Sequence, residues 1–244
     1  MLMCQNFNMR FMLVVLVGAL LPAIVAKGNL NTDTSSTRIL SNKPSSTVAW
    51  HMPRHTRHVA LTFDDGPDEL VTPQLLDVLK QYNVKATFFL VGNMIAKAPH
   101  IVDQIVLDGH AIANHTWAHY RLDEMTKDQV ALQLKSTTDV IDTMGYTMSP
   151  YMRPPGGRFN NYVIHSAKDQ GLAMVMWDVN AADYKRADGR LPDPNRIAKR
   201  VLRSVRPGSI ILMHNGIATV DALPLIIESL KEQSYSIGLL QWEK

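Results

Sequence analysis

Between residues 58 and 240 short apolar runs alternate with amphipathic stretches. Seven runs have strand length: 59–63, 86–91, 111–113, 150–152, 172–177, 209–213 and 235–240. Several are rich in β-branched or aromatic residues, as buried strands are. The stretches between them carry helical spacing. Leu75, Leu76, Leu79 and Tyr82 fall on one helix face, with Thr72 as expected N-cap and Pro73 in the first turn. Val130, Leu134 and Ile141 mark a second helix, opened by a capping box of Thr126 and Gln129. Ile197, Val201 and Val205 mark a third, and Val220, Leu223, Ile227 and Leu230 a fourth.

Strands alternating with helices predict βα units and a parallel sheet. Seven strands in one continuous stretch suit an α/β fold of the distorted, seven-stranded (β/α) barrel kind, resembling a TIM barrel, better than the runner-up, an open doubly wound sheet. No glycine-rich dinucleotide loop follows the first strand. Asp64-Asp65-Gly66-Pro67 stands there instead, a turn with no means of cradling phosphate.

The chain is 46% apolar and 19% charged, a globular composition. Its 25 basic and 22 acidic residues give a net charge of +3 without a long basic run, which argues against a nucleic-acid partner. The first 26 residues read differently: Arg10, an apolar stretch over 11–21, Pro22, then Ala23 and Ala26. This is the pattern of a signal peptide cleaved after Ala26. It predicts a secreted, periplasmic or envelope-located protein with no stable membrane span after cleavage. An uncleaved membrane anchor is the alternative, although the apolar stretch falls short of the ~20 residues a span needs. Residues 27–57 are rich in Ser, Thr and Asn and read as a flexible linker, leaving 58–244 as the folded domain. The one cysteine, Cys4, lies ahead of the apolar stretch, so any metal in the mature chain must be held by His, Asp or Glu.

The polar residues fall at the C-terminal ends of the predicted strands: Asp64 and Asp65, His115 and His119, Arg153, Trp177 and Asp178, and His214. Barrels of this type build their active sites on that face. His115 and His119, four apart, would share one face of a helical turn within reach of one ion. The residue after His115 is Thr116, not the Glu of a zinc protease, so the base must come from elsewhere. Asp64 and Asp65 point in different directions from a strand end, so one can bind metal while the other faces a water. An Asp-His-His set leaves coordination positions open, which is the mark of a catalytic site. Arg153, beside the stiff Pro154-Pro155-Gly156-Gly157 turn, can hold a carboxylate by a bidentate pair. His214 is a candidate general acid.

Together these residues resemble the polysaccharide deacetylases of carbohydrate esterase family four. Thr62-Phe63-Asp64-Asp65-Gly66-Pro67 looks like the first family motif, His115 to His119 the second, Arg153-Pro154-Pro155-Gly156 the third, Asn180 to Tyr184 the fourth and Leu212-Met213-His214 the fifth. The resemblance implies a distorted barrel, with Asp65, His115 and His119 as ligands of a divalent metal ion, usually zinc. It implies Asp64 as general base, His214 as general acid, Arg153 as the residue orienting Asp64, and Asp183 as partner of the catalytic histidine. Pro155, Gly156, Trp177, Tyr184 and Leu212 would line the substrate cleft. Two departures stand out. Gly156 replaces the usual aromatic of the third motif, keeping the backbone N–H thought to help bind the oxyanion. Asn180 and Tyr184 replace the ends of the fourth, which leaves Asp178 as a rival to Asp183.

The reaction this implies is removal of N-acetyl groups from an N-acetylglucosamine-type glycan such as chitin oligomers or peptidoglycan. An O-acetyl esterase on a xylan-like polymer and a catalytically inactive carbohydrate-binding relative are the competing readings.

Overall fold

The computed structural model describes residues 44, 47–184 and 190–242. The signal peptide and nearly all of the 27–46 part of the linker lie outside the described residues. Nine strands, all in parallel pairs, form one sheet: β1 (Val48–Ala49), β2 (His58–Asp64), β3 (Thr87–Leu90), β4 (Ala111–Asn114), β5 (Tyr151–Met152), β6 (Ala173–Val175), β7 (Val179–Asn180), β8 (Ile210–His214) and β9 (Ser236–Gly238). Their order is β1-β6-β5-β4-β3-β2-β8-β7, with β9 beside the first half of β2. The curved sheet is a half-barrel, an α/β architecture consistent with the expected barrel of βα units. β1 and β7, two residues each, are the additions to the seven predicted strands.

Alternation along the strands sorts the side chains into two cores. Outward residues such as Val59, Leu61 and Phe63 pack with the helices. The helices are α1 (Thr72–Gln81), α2 (Gly92–Ile95), α3 (Pro99–Leu107), α4 (Lys127–Thr143), α5 (Asn161–Asp169), α6 (Pro194–Ser204) and α7 (Ile217–Glu232). Inward residues form a second, smaller core to which six strands give one side chain each: Ala60, Phe89, Ala113, Tyr151, Val175 and Ile210. This is the layered filling of a packed barrel interior. The next inward positions towards the strand ends are Thr62, His115, Arg153, Trp177 and Leu212, followed by Asp64 and His214. The chemistry therefore sits on top of a solid core.

Two local expectations change. α1 starts at Thr72, but Val71 is its N-cap and makes no side-chain cap bond. Asp68 Oδ1 accepts from the N–H groups of Leu70 and Val71 instead, while the Thr72 hydroxyl accepts from the Asp68 N–H and from Asn215 Nδ2. The capping box of Thr126 and Gln129 forms as predicted. In addition, β1 and the buried Met52 lie within the stretch read as linker, so packed structure begins about ten residues earlier than expected from periodicity. No helix among the described residues is long and apolar enough to cross a membrane.

Candidate active site

β2 delivers two carboxylates and separates them. Asp64, the last residue of the strand, is 4% exposed and faces inward. Asp65 turns away, with φ at +67° and its side chain 41% exposed. Gly66 can take φ +77° and leaves room that a Cβ would not: it would come within 2.8 Å of Asn215 Nδ2.

His115 follows β4 and is buried; its Nδ1 lies 2.8 Å from the Arg153 carbonyl. Donation there places the proton on Nδ1 and leaves Nε2 as the ligand nitrogen, the usual second contact of a metal-binding imidazole. His115 Nε2 lies 3.6 Å, and His119 Nε2 3.1 Å, from Asp65 Oδ1. The three donor atoms all lie within 4.8 Å of one another, close enough to surround one ion. The two histidines do not meet on a helical turn, as their spacing suggests. The segment is an irregular loop in which Thr116 and His119 both have positive φ, held by the Asn114 side chain on the Thr116 N–H and by the Thr116 hydroxyl on the His119 N–H.

Arg153 is fully buried and uses its whole fork. Nη1 donates to Asp64 Oδ1 at 2.6 Å and to Thr62 Oγ1 at 2.9 Å, Nε to the Val175 carbonyl at 2.9 Å and Nη2 to the Met176 carbonyl at 3.0 Å. Its Cζ lies 4.0 Å from the centre of the Phe89 ring. The expected bidentate grip on a carboxylate is therefore a single bond, because Nη2 goes to backbone. That leaves Asp64 Oδ2 directed to the site, 3.8 Å from His115 Nε2.

His214 ends β8. Its Nδ1 lies 2.8 Å from Asp183 Oδ1, and its backbone N–H donates to Asp183 Oδ2 at 2.6 Å. The Thr219 hydroxyl donates to the same Oδ2 at 2.5 Å. Asp178, the rival, lies elsewhere: it accepts from Arg54, from the Ser209 hydroxyl and from the Ile210 N–H. Tyr184 sets its ring edge-on to His214, centres 4.6 Å apart.

The electrostatics follow from this crowding. Burial opposes ionisation of Asp65, but the hydrogen bond from His119 and the charges of His115, His119 and His214 outweigh it and hold the carboxyl at about 2. His119 is raised, chiefly by its bond to Asp65. His115 is lowered by burial, which the nearby Asp64 and Asp65 only partly offset. Burial also pulls on His214, yet the bond and charge of Asp183, with Asp64 and Asp65 beyond, raise it on balance. A neutral buried imidazole, a second imidazole and an ionised carboxylate form a set that suits a divalent cation.

With the geometry in place, comparison with known proteins decides the family. The family model for polysaccharide deacetylase matches residues 51–175. This chain belongs to the polysaccharide deacetylase family. It is 34% identical over 202 residues to a peptidoglycan-N-acetylglucosamine deacetylase of Bacillus cereus, covering 79% of this chain and 91% of the relative. It is 35% identical to a chitooligosaccharide deacetylase of Bradyrhizobium, covering 75% and 88%. Among solved structures, a peptidoglycan N-acetylglucosamine deacetylase superimposes with a TM-score of 0.75 at 36% identity, over 81% of this chain and 95% of that one. A family-four pseudoenzyme of Bacillus anthracis superimposes with a TM-score of 0.74 at 30% identity, over 79% and 67%.

For this deacetylase, the structure brings Asp64, Asp65, His115, His119, Arg153, His214 and Asp183 to one rim. Trp177, half-buried, lies 5.6 Å from Arg153. Gly156 is exposed in a left-handed turn with φ +62°, and nothing lies within 4 Å of where its Cβ would be. Pro155 is buried. Leu212 is only 2% exposed and paired with Thr62 in register, so it supports the floor rather than forming an open wall. Three supporting residues escaped notice: the Thr62 hydroxyl on Arg153, Thr219 on Asp183 and Asn215 on Thr72. Thr62 stood within a recognised motif, whereas Thr219 and Asn215 act across long sequence separations that no local pattern encodes.

Proposed function

We propose that this deacetylase removes N-acetyl groups from a glycan containing N-acetylglucosamine, of the peptidoglycan or chitooligosaccharide type, and releases acetate. The carrying observation is the facing arrangement of a metal triad, a buried Asp64 with one oxygen fixed, and an acid-paired His214. Asp65, His115 and His119 would hold a divalent ion, zinc by the nitrogen-rich donor set. Such an ion polarises an acetyl carbonyl and acidifies water at neutral pH. Asp64, fixed by Arg153 at Oδ1, takes the proton of the attacking water through Oδ2. Pro154 and Pro155 carry no N–H, so Gly156 supplies the first donor on its turn towards the developing oxyanion. His214, kept cationic by Asp183, gives a proton from Nε2 to the departing amine, a leaving group that departs poorly unless protonated. The signal-peptide pattern of residues 1–26 supports a location outside the cytoplasm, where such glycans are found.

The test is acetate release from N-acetylglucosamine oligomers, peptidoglycan and acetylxylan, each with and without chelator. Chelator-sensitive release from one of the first two, faster than from acetylxylan, is expected. Faster turnover of acetylxylan would make the enzyme an O-acetyl esterase. The likeness to a pseudoenzyme prompts a binding-only reading, and glycan binding with no release from any substrate would establish it in place of this one.

A further inference from the structure

The inward row that carries the site does not stop at Arg153. Trp177, the next inward position after Val175 on β6, meets the 157 backbone so closely that a Cβ on Gly157 would come within 2.7 Å of its ring. Two residues beyond that contact lies Phe159, half-buried against the outer core. Trp50 follows the end of β1, which is in register with β6: Ala49 pairs with Val175, and the Met176 N–H donates to the Ala49 carbonyl at 2.7 Å. Trp50 is 48% exposed, and its ring centre sits 6.5 Å from that of Phe159, the planes 48° apart. Trp177, Phe159 and Trp50 therefore follow one another outward along the same C-terminal rim. From β4, which carries His115, to β1 is three strand spacings, about 14 Å. That is further than the sugar bearing the scissile acetyl group would reach. Beside the reacting centre, nothing among the described residues lies within 4 Å of where a Cβ on Gly156 would be.

We propose that Trp50 and Phe159 form an outer glycan subsite, an aromatic ledge on which a sugar remote from the scissile acetyl group stacks; this rests on the deacetylase reading above. A single exposed aromatic is ordinary. Here two touching rings continue the cleft on the edge strand of the same face. Trp offers a large, stiff apolar surface at low entropic cost, and the C–H face of a pyranose is its complement. Binding energy gained there raises kcat/KM for a chain without touching the reacting atoms.

The test is a chain-length profile of kcat/KM for N-acetylglucosamine oligomers. Trp50→Ala should lower the value for long oligomers by about tenfold, the scale of one aromatic contact. The disaccharide and an activated acetyl ester should be unaffected, Trp50→Phe should retain most of the long-chain advantage, and Phe159→Ala should lose part of it. Equal loss at every length, or none at the longest, overturns the ledge. If wild type releases no acetate from any oligomer, the ledge is judged by calorimetry alone, and the deacetylase reading fails only if peptidoglycan releases none either. In that case weaker binding of a long oligomer to Trp50→Ala supports it, and unchanged affinity overturns it.

Discussion

Replacing Asp183 by asparagine keeps the shape of the His214 partner and removes its charge. In the wild type that carboxylate accepts three bonds, from the His214 N–H, His214 Nδ1 and the Thr219 hydroxyl. The amide has only one oxygen to accept, and its NH2 group must face a donor. A hydrogen bond to a charged group contributes ~1.5–3 kcal/mol, and one pKa unit corresponds to ~1.4 kcal/mol, so His214 should fall by about 1–2 units. The sign follows from the role. In the proposed mechanism His214 acts as the acid; its pKa is raised above the ordinary value of 6.5, so activity is lost as pH rises through it. The alkaline limb of kcat/KM should therefore move to lower pH in Asp183→Asn, with activity at the optimum reduced roughly a hundredfold or more. The assay is acetate release from an N-acetylglucosamine oligomer across pH, alongside NMR titration of the His214 ring. Asp178→Asn serves as control and should leave the limb in place, because Asp178 bonds to Arg54, Ser209 and Ile210. A limb that stays put in Asp183→Asn while the rate falls would refute the argument and leave Asp183 as a structural residue only.

Further expectations bear on separate parts of the molecule. His119→Ala should lose most bound metal and nearly all activity, whereas Asp64→Asn should lose activity and keep metal; equal metal loss in elemental analysis of the two would reverse the roles of the aspartates. Arg153→Lys abandons bonds to two buried carbonyls and the stack on Phe89, and should cost about 3 kcal/mol in denaturant unfolding. His214→Ala should harm amide hydrolysis far more than hydrolysis of an activated acetyl ester, as measured by the two rate ratios. His110 accepts the Ala86 N–H at Nδ1, its Nε2 has no hydrogen-bond partner among the described residues, and burial foremost lowers its pKa to about 4. Its folded pKa lies below the unfolded value, so its contribution is present above pH 6.5 and fades as pH falls towards 4. The loss should approach ~3 kcal/mol at most, and the slope of stability against pH over that window should flatten in His110→Leu.

The parts of the fold legible in the sequence were those with a repeated pattern. Runs such as 59–63 and 209–213 are long enough to show as strands, and the Thr126–Gln129 box marks its helix by chemistry alone. β1 and β7 are two residues long, too short for any periodicity, and β1 is hidden in a Ser- and Thr-rich stretch. The site residues were legible because they follow strands, and strand ends converge. What could not be read was how they meet. Spacing suggested a helical turn for His115 and His119 and a bidentate fork for Arg153, but loop torsions and backbone carbonyls from β6 and just beyond it decided both. The choice of Asp183 over Asp178 likewise depends on which of two residues five positions apart reaches His214, a tertiary fact.

Asp65, Thr116 and His119 share a conformation that L-residues with side chains avoid, with φ of +67°, +67° and +56°. Each would sit more comfortably there as glycine or asparagine, by roughly 1 kcal/mol. Two of the three are candidate metal ligands, and an ion bound there would stabilise the folded state by more than this strain costs. Only where no ion is held should these positions drift towards glycine without harming the fold. In a lineage released from catalysis, decay would begin at this loop and at the end of β2, while the barrel beneath kept its shape.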